Sequence, residues 1–238
     1  MKLDILVFGA HPDDVELGCG GTIIKEVQNG KKVGIIDLTR GELGTRGTAS
    51  IRDEETNQAT TIMGVAVREN MNFKDGFFKD DEDHKRSLIS KIRQYRPEIV
   101  ITNAFSDRHP DHSRASQITI DSCFLSGLER IETDQELWRP SAIYHYIQFN
   151  NLTPDIVVDI SKQMDLKIKV VKAYKTQFYD PDSKESETII SSKEFLESVE
   201  YRAKDLGRQS NCKYAEGFIT HQLPKMESLL DINIEKAE

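Results

Sequence analysis

The sequence predicts an α/β fold: a mainly parallel sheet with helices on both faces, and extra strands and helices in the C-terminal part. Three observations carry this expectation. Short β-branched runs alternate with helical stretches through the first 125 residues, as βαβ units do. The helical stretches stop at residues that end helices. After residue 125 the alternation gives way to a less regular pattern, which marks an addition to the βαβ core.

Taken in order, residues 5–8 (ILVF), 33–38 and 99–102 are short apolar runs suited to strands buried on both faces. Residues 67–73 form a weaker strand candidate. A helix over 16–29 runs to Gly30, a residue type suited to a C-cap. A second, over 50–63, runs to Gly64, and a third, over 80–95, stops before Arg96-Pro97, because proline disfavours helical backbone in the residue before it. Right-handed crossovers then make the strands parallel. Another helix is expected to open near His112. Residues 127–140 are charged and irregular, 142–149 and 155–160 are strand-like, and 161–174 and 192–209 have helical periodicity. The stretch 176–187 reads as a surface loop that orders on binding or assembly. Residues from about 225 to 238 are polar and expected to fray. No repeat or linker divides the chain, so 1–238 reads as one domain.

Composition narrows the function. The chain is 37% hydrophobic and 30% charged, with a net charge of −8. An acidic balance lacks the clustered basic residues of a nucleic-acid footprint. No apolar run approaches the roughly 18 residues of a membrane span, and the N-terminus lacks the marks of a secretory signal. Cys19, Cys123 and Cys212 are widely spaced and odd in number, which fits free thiols in the cytoplasm.

Two strings carry the chemistry: His11-Pro12-Asp13-Asp14 and His109-Pro110-Asp111-His112. Each follows a predicted strand, and in α/β sheets chemistry gathers where strands end. Catalytic zinc commonly takes three His or carboxylate ligands and keeps a fourth place open. The first string offers His11 and either Asp13 or Asp14; the second offers His109 and His112. His11 and Asp14, three positions apart around a turn, can converge on one ion that His112 completes. No cysteine pair has the spacing of a closed structural site. Asp13 would then face the attacking water as a base. His109, across the site, would act as an imidazolium that stabilises an oxyanion and protonates the leaving amine. Asp111 would hold the His109 tautomer. Alone, His-Pro-Asp-Asp would read as a turn; two such strings after two strands point to metal-dependent hydrolysis. Such a donor set accepts Zn2+, Fe2+, Co2+ or Mn2+. Among the other histidines, His84 reads as a surface residue and His145 as packed, while His221 is a candidate for lining the site.

Gly41, Gly44 and Gly47, with Arg46, form a loop able to bring backbone N–H groups and a cation to an anionic substrate. The plainer alternative is a surface loop, with Arg52 starting a helix and pairing with Glu55. A nucleotide-binding role is disfavoured, because His11 to Asp14 place acid where a pyrophosphate needs glycines.

With AHPDD after the first strand and HPDH after a later one, the chain resembles the LmbE-like, or PIG-L, zinc-dependent N-acetylglucosamine deacetylases from residue 5 to about 218. The resemblance implies a Rossmann-like fold, one divalent metal, usually zinc, and removal of acetyl from an N-acetylglucosaminyl group. By motif position it implies His11, Asp14 and His112 as ligands, Asp13 as base, His109 as acid or oxyanion stabiliser, and Asp111 as its orienting partner. The stretch TRGELGTRGT at 39–48, followed by RDEE at 52–55, resembles the bacillithiol-pathway branch, which deacetylates N-acetylglucosaminyl-malate. That branch implies substrate contacts from Arg52, with Arg46 and Glu42. Mycothiol-pathway relatives carry a tyrosine where Asp107 stands here, so the acid falls to His109 or to Tyr201 or Tyr214. The alternatives are deacetylation of free GlcNAc or chitooligosaccharides, amide cleavage of thiol conjugates, and non-catalytic binding of sugar or metal. The family tendency to assemble makes a homo-oligomer the expectation.

Overall fold

Strands β1 (Ile5–Gly9) and β2 (Val33–Thr39) are buried at every position, which explains why they read as unbroken apolar runs. The computed structural model describes residues 1–228; the tail expected to fray lies outside them from residue 229 on. Helix α1 (Asp14–Gln28) leads from β1 to β2, and α2 (Ala49–Met63) from β2 to β3 (Val67–Phe73). Helix α3 (Glu82–Tyr95) leads to β4 (Ile99–Thr102), and α4 (Pro110–Leu125) to β5 (Ala142–Tyr146). Then come β6 (Ile156–Asp159), α5 (Met164–Val171), α6 (Lys193–Gln209) and β7 (Ala215–Thr220).

These strands form one sheet in the order β3-β2-β1-β4-β5-β7-β6. The first five pair in parallel, with Ile5 opposite both Val33 and Ile99. Strand β7 pairs antiparallel with both β5 and β6. The mainly parallel α/β expectation is therefore met, with helices on both faces. One face carries Ile23, Ala59, Val170 and Val199 from α1, α2, α5 and α6. The other carries Leu88 and Ile92 from α3, and Ala115 and Ile118 from α4.

Differences from expectation cluster after β4. Strand β7 was not expected. Strand β5 ends at Tyr146, releasing residues 147–150 to bend toward the strand ends. Helix α5 is shorter than 161–174, because turns occupy both ends of that stretch. Helix α1 is interrupted at Cys19 (φ −143). There Gly18 lets the helix lie against β5, where a Cβ would overlap the Tyr146 ring. The break frees the N–H groups of Gly21 and Thr22, which donate to the Glu216 carboxylate of β7 at 2.9 and 2.6 Å. Lys167 of α5 neutralises Glu216 and donates to the Leu17 carbonyl, as a buried carboxylate requires.

Candidate metal centre and cleft

Sheet order reverses between β1 and β4, and ligand sites of open α/β sheets form at such points, beyond the strand ends. The first string follows β1 and the second follows β4. Asp13 is the N-cap of α1, yet its side chain caps nothing; its backbone lies at φ 112 and ψ −24. An N-cap aspartate normally accepts a helix N–H, and a non-glycine residue in this region is strained. The forgone cap leaves the carboxylate facing the cleft. Pro110 opens α4 where no N–H is needed. His109 caps that helix, its Nδ1 accepting the Asp111 N–H at 3.2 Å.

Asp14 lies between two histidines: its Oδ2 is 3.5 Å from His11 Nδ1 and its Oδ1 is 3.2 Å from His112 Nε2. Asn103 and Gln148 donate to Asp14 at 3.0 and 2.6 Å and fix its orientation. On its other side, His11 Nε2 meets Asp75 at 3.0 Å and Asp111 at 3.4 Å, while His112 Nδ1 meets Asp107 at 2.9 Å. His109 joins the group too, since ligand atoms of His11, His109 and His112 lie within 4.8 Å of one another. The donor set suits a divalent cation. Burial works against positive charge on His11, but bonds to Asp111, Asp14 and Asp75 outweigh it and hold the ring well above the usual histidine range. At His112 the same opposition of burial against Asp14 and Asp107 ends at about 9.

Burial pushes the Asp13 carboxyl up to about 7, against the pull of Arg52. For His109, burial and the neighbouring His11 and His112 hold the ring below the usual range. The expected Asp111–His109 arrangement needs correction. The Asp111 carboxylate accepts from Gly76 N at 2.8 Å and from Arg114 at 2.5 Å. It is the Asp111 backbone amide that orients His109. Because Nδ1 accepts that N–H, the neutral ring carries its proton on Nε2. An imidazolium would break this cap, so the hydrogen bond favours a neutral ring with Nε2–H as donor over the expected cation.

A cleft of about 310 Å³ opens over these residues, lined also by Arg46, Arg52, Arg108, Phe149 and Ile189. Arg52 is 6% exposed, and its guanidinium packs where a Cβ at Gly41 (φ 63) would stand. That side chain makes no hydrogen bond among the described residues, and the pairing with Glu55 is not formed: Glu55 instead accepts from Thr176 N and Oγ1 at 2.8 and 2.7 Å. Arg46 is engaged by Ser183 and Glu185, and Glu185 also accepts the Gly47 N–H at 2.8 Å. The loop over 176–187 is thereby fastened to the 41–47 turn. Glu42 departs from expectation: it accepts the Asp75 N–H at 2.8 Å and does not line the cleft.

Tyr201 is 61% exposed and Tyr214 donates to Glu200, and neither lines the cleft. His221 also stands outside it, near His145. His145 is packed as expected, its Nδ1 bonded to the Asn103 carbonyl. Sequence reasoning missed Asp75, Asn103 and Gln148, and noted Asp107 only for what it replaces. Asp75 and Asn103 had a usable signal, since each is a polar residue just beyond a parallel strand. Gln148 had none, because it sat inside a run read as strand.

Residues 6–123 match the PIG-L family, described as GlcNAc-PI de-N-acetylase. The chain is 28% identical over 186 residues to the diacetylchitobiose deacetylase of Thermococcus kodakarensis, covering 73% of this chain and 70% of that one. It is 32% identical over 125 residues to the "Uncharacterized deacetylase YaiS" of Escherichia coli, covering 50% and 67%. Identity is 26% over 194 residues to the "Probable N-acetyl-alpha-D-glucosaminyl L-malate deacetylase 2" of Bacillus subtilis, covering 74% and 84%. The crystal structure of the conserved protein TT1542 from Thermus thermophilus superposes with a TM-score of 0.87 at 32% identity, over 99% of this chain and 100% of that one.

Proposed function

Since the chain belongs to the PIG-L family of deacetylases, we propose that it is a metal-dependent hydrolase of the acetamide of a small N-acetylglucosaminyl compound. The observation that carries the reading is Asp13, an uncapped, buried carboxylate turned into the cleft beside His11 and Asp14, a cleft that His109 also lines. His11, Asp14 and His112 would hold the ion, with Zn2+ first and Fe2+, Co2+ or Mn2+ as alternatives. Bound there, it would supply Lewis acidity to the amide carbonyl.

Asp13 takes a proton from the attacking water. His109 Nε2–H donates to the carbonyl oxygen as negative charge develops on it. Asp13, now protonated, returns the proton to the departing nitrogen as the C–N bond breaks. Arg52, whose buried guanidinium has no hydrogen-bond partner among the described residues, receives a sugar oxygen or a carboxylate of the substrate. Asp111 supports the step through its amide.

Two aglycones fit this chemistry. The malate conjugate of the bacillithiol pathway is supported by the 39–55 segment and by the free Arg52 guanidinium. A second amino sugar, as in chitooligosaccharides, is favoured by Arg46, whose guanidinium is occupied by Glu185 and Ser183 and so is not offered to a dicarboxylate. The test is amine release from GlcNAc-malate, GlcNAc and N,N′-diacetylchitobiose by protein of defined metal content. Fastest release from the disaccharide supports the second reading and fastest release from the malate conjugate the first. Release from none, with metal bound, would favour the alternatives of amide cleavage of thiol conjugates or non-catalytic binding of sugar or metal. No helix among the described residues is long and apolar enough to cross a membrane. Three unpaired thiols support placement in the cytoplasm, and assembly into a homo-oligomer is proposed alongside, checked by sedimentation.

A further inference from the structure

We propose that Asp107 is a positioning residue of the metal centre, fixing His112 so that Nδ1 keeps its proton and Nε2 is presented to the ion. The proposal rests on the metal-dependent reading above. His112 is bracketed by two carboxylates, Asp107 Oδ2 at 2.9 Å from Nδ1 and Asp14 Oδ1 at 3.2 Å from Nε2. An ionised carboxylate only accepts, so Asp107 favours hydrogen on Nδ1, and Nε2, which faces Asp14, another expected ligand, is the nitrogen that would give its lone pair to the ion. A ring flip would break that bond.

Asp107 is itself held on every side. Its Oδ1 accepts from the backbone N–H groups of Arg108 and Asn150 at 2.7 and 3.0 Å, and Oδ2 also accepts from Phe149 at 3.4 Å. The side chain is 1% exposed and does not line the cleft. Both oxygens are already accepting, so the group has no capacity left for substrate. It does a different job from a tyrosine able to donate a proton. The same short segment reaches Asp14 through the Gln148 side chain, and Arg202 of α6 ties the carbonyls of Ile147 and Gln148. Residues 147–150 therefore grip two of the three expected ligands, Asp14 directly and His112 through Asp107. Asp75 holds His11 similarly but lines the cleft, so its removal would mix metal and substrate effects.

The experiment compares full-length wild type, Asp107→Asn and Asp107→Ala. Zn2+ affinity is read by chelator competition, and the ring nitrogens of His112 by long-range 15N NMR of the zinc-loaded proteins. Asp107→Ala should bind Zn2+ about 10–100-fold more weakly and lose the slowly exchanging Nδ1 proton. Asp107→Asn, which can still accept, should keep that proton and lose less affinity. In a His112→Ala background the Asp107→Ala step should cost less than about threefold, because the two residues act as one unit. Zn2+ affinity of Asp107→Ala within about threefold of wild type, or a full loss repeated in the His112→Ala background, would overturn the assignment. Wild type that takes up no Zn2+ would overturn the metal reading itself, and would show before any variant is compared.

Discussion

His11, Asp13 and Asp14 of the first string are all buried, whereas the second string sets a buried His112 beside a half-buried His109. Each string opens a helix after a parallel strand, and each has a residue at the N-cap. Asp13 forgoes its cap and remains a free carboxylate; His109 accepts its cap and gains a fixed tautomer. Similar letters thus yield opposite hydrogen-bonding roles, an acceptor turned to the cleft and a donor turned to it. The helix N-terminus decides this, because its unsatisfied N–H groups either find a side-chain acceptor or leave one free.

The comparison can be broken in order of effect. Asp14→Ala should remove the bound ion and all turnover, seen by elemental analysis of the purified protein. Asp13→Ala should lower kcat by about 10²–10⁴-fold with metal content unchanged. Metal loss in that variant would exchange the roles of Asp13 and Asp14. His109→Ala should cost about 10²–10³-fold in kcat, with the ion retained and KM little changed. If the ion left with His109, the three-histidine group would be the ligand set, and both histidines of the second string would be ligands. On the scaffold side, Gly18→Ala should destabilise the fold by about 1–3 kcal/mol through overpacking on Tyr146, measurable by thermal denaturation. The smallest effect is expected from Tyr201→Phe, with activity within about twofold of wild type, as for an exposed residue remote from the cleft.

Sequence reasoning succeeded where the signal was local. The runs at 5–8, 33–38 and 99–102 are apolar because both faces of the central sheet are covered, and their ends located the two strings. Turn spacing and family likeness both point to Asp14 as the ligand and Asp13 as the base, an assignment that the Asp13→Ala variant tests. What stayed hidden depends on partners far along the chain. Strand β7 contains Glu216 and Gly217, a poor strand sequence until Lys167 and the broken α1 supply partners for the carboxylate. Asp111 was assigned through its side chain, whereas its amide does the orienting. No pattern of residue types distinguishes those two, because they belong to the same residue. Arg46 and Glu42 lie in a loop whose contacts, Glu185 and the Asp75 amide, are supplied by other loops.

Glu216 has a consequence for how the chain is made. A ribosome delivers the first string and strands β1 to β4 before β7. The second half of α1 waits for a carboxylate 195 positions further on, which arrives only when β7 slots between β5 and β6. The motif is therefore translated well before the carboxylate that completes the helix beside it. Nascent chains stalled before residue 215 should display the histidines and aspartates without the finished support that holds them, which ties competence of the site to the arrival of β7.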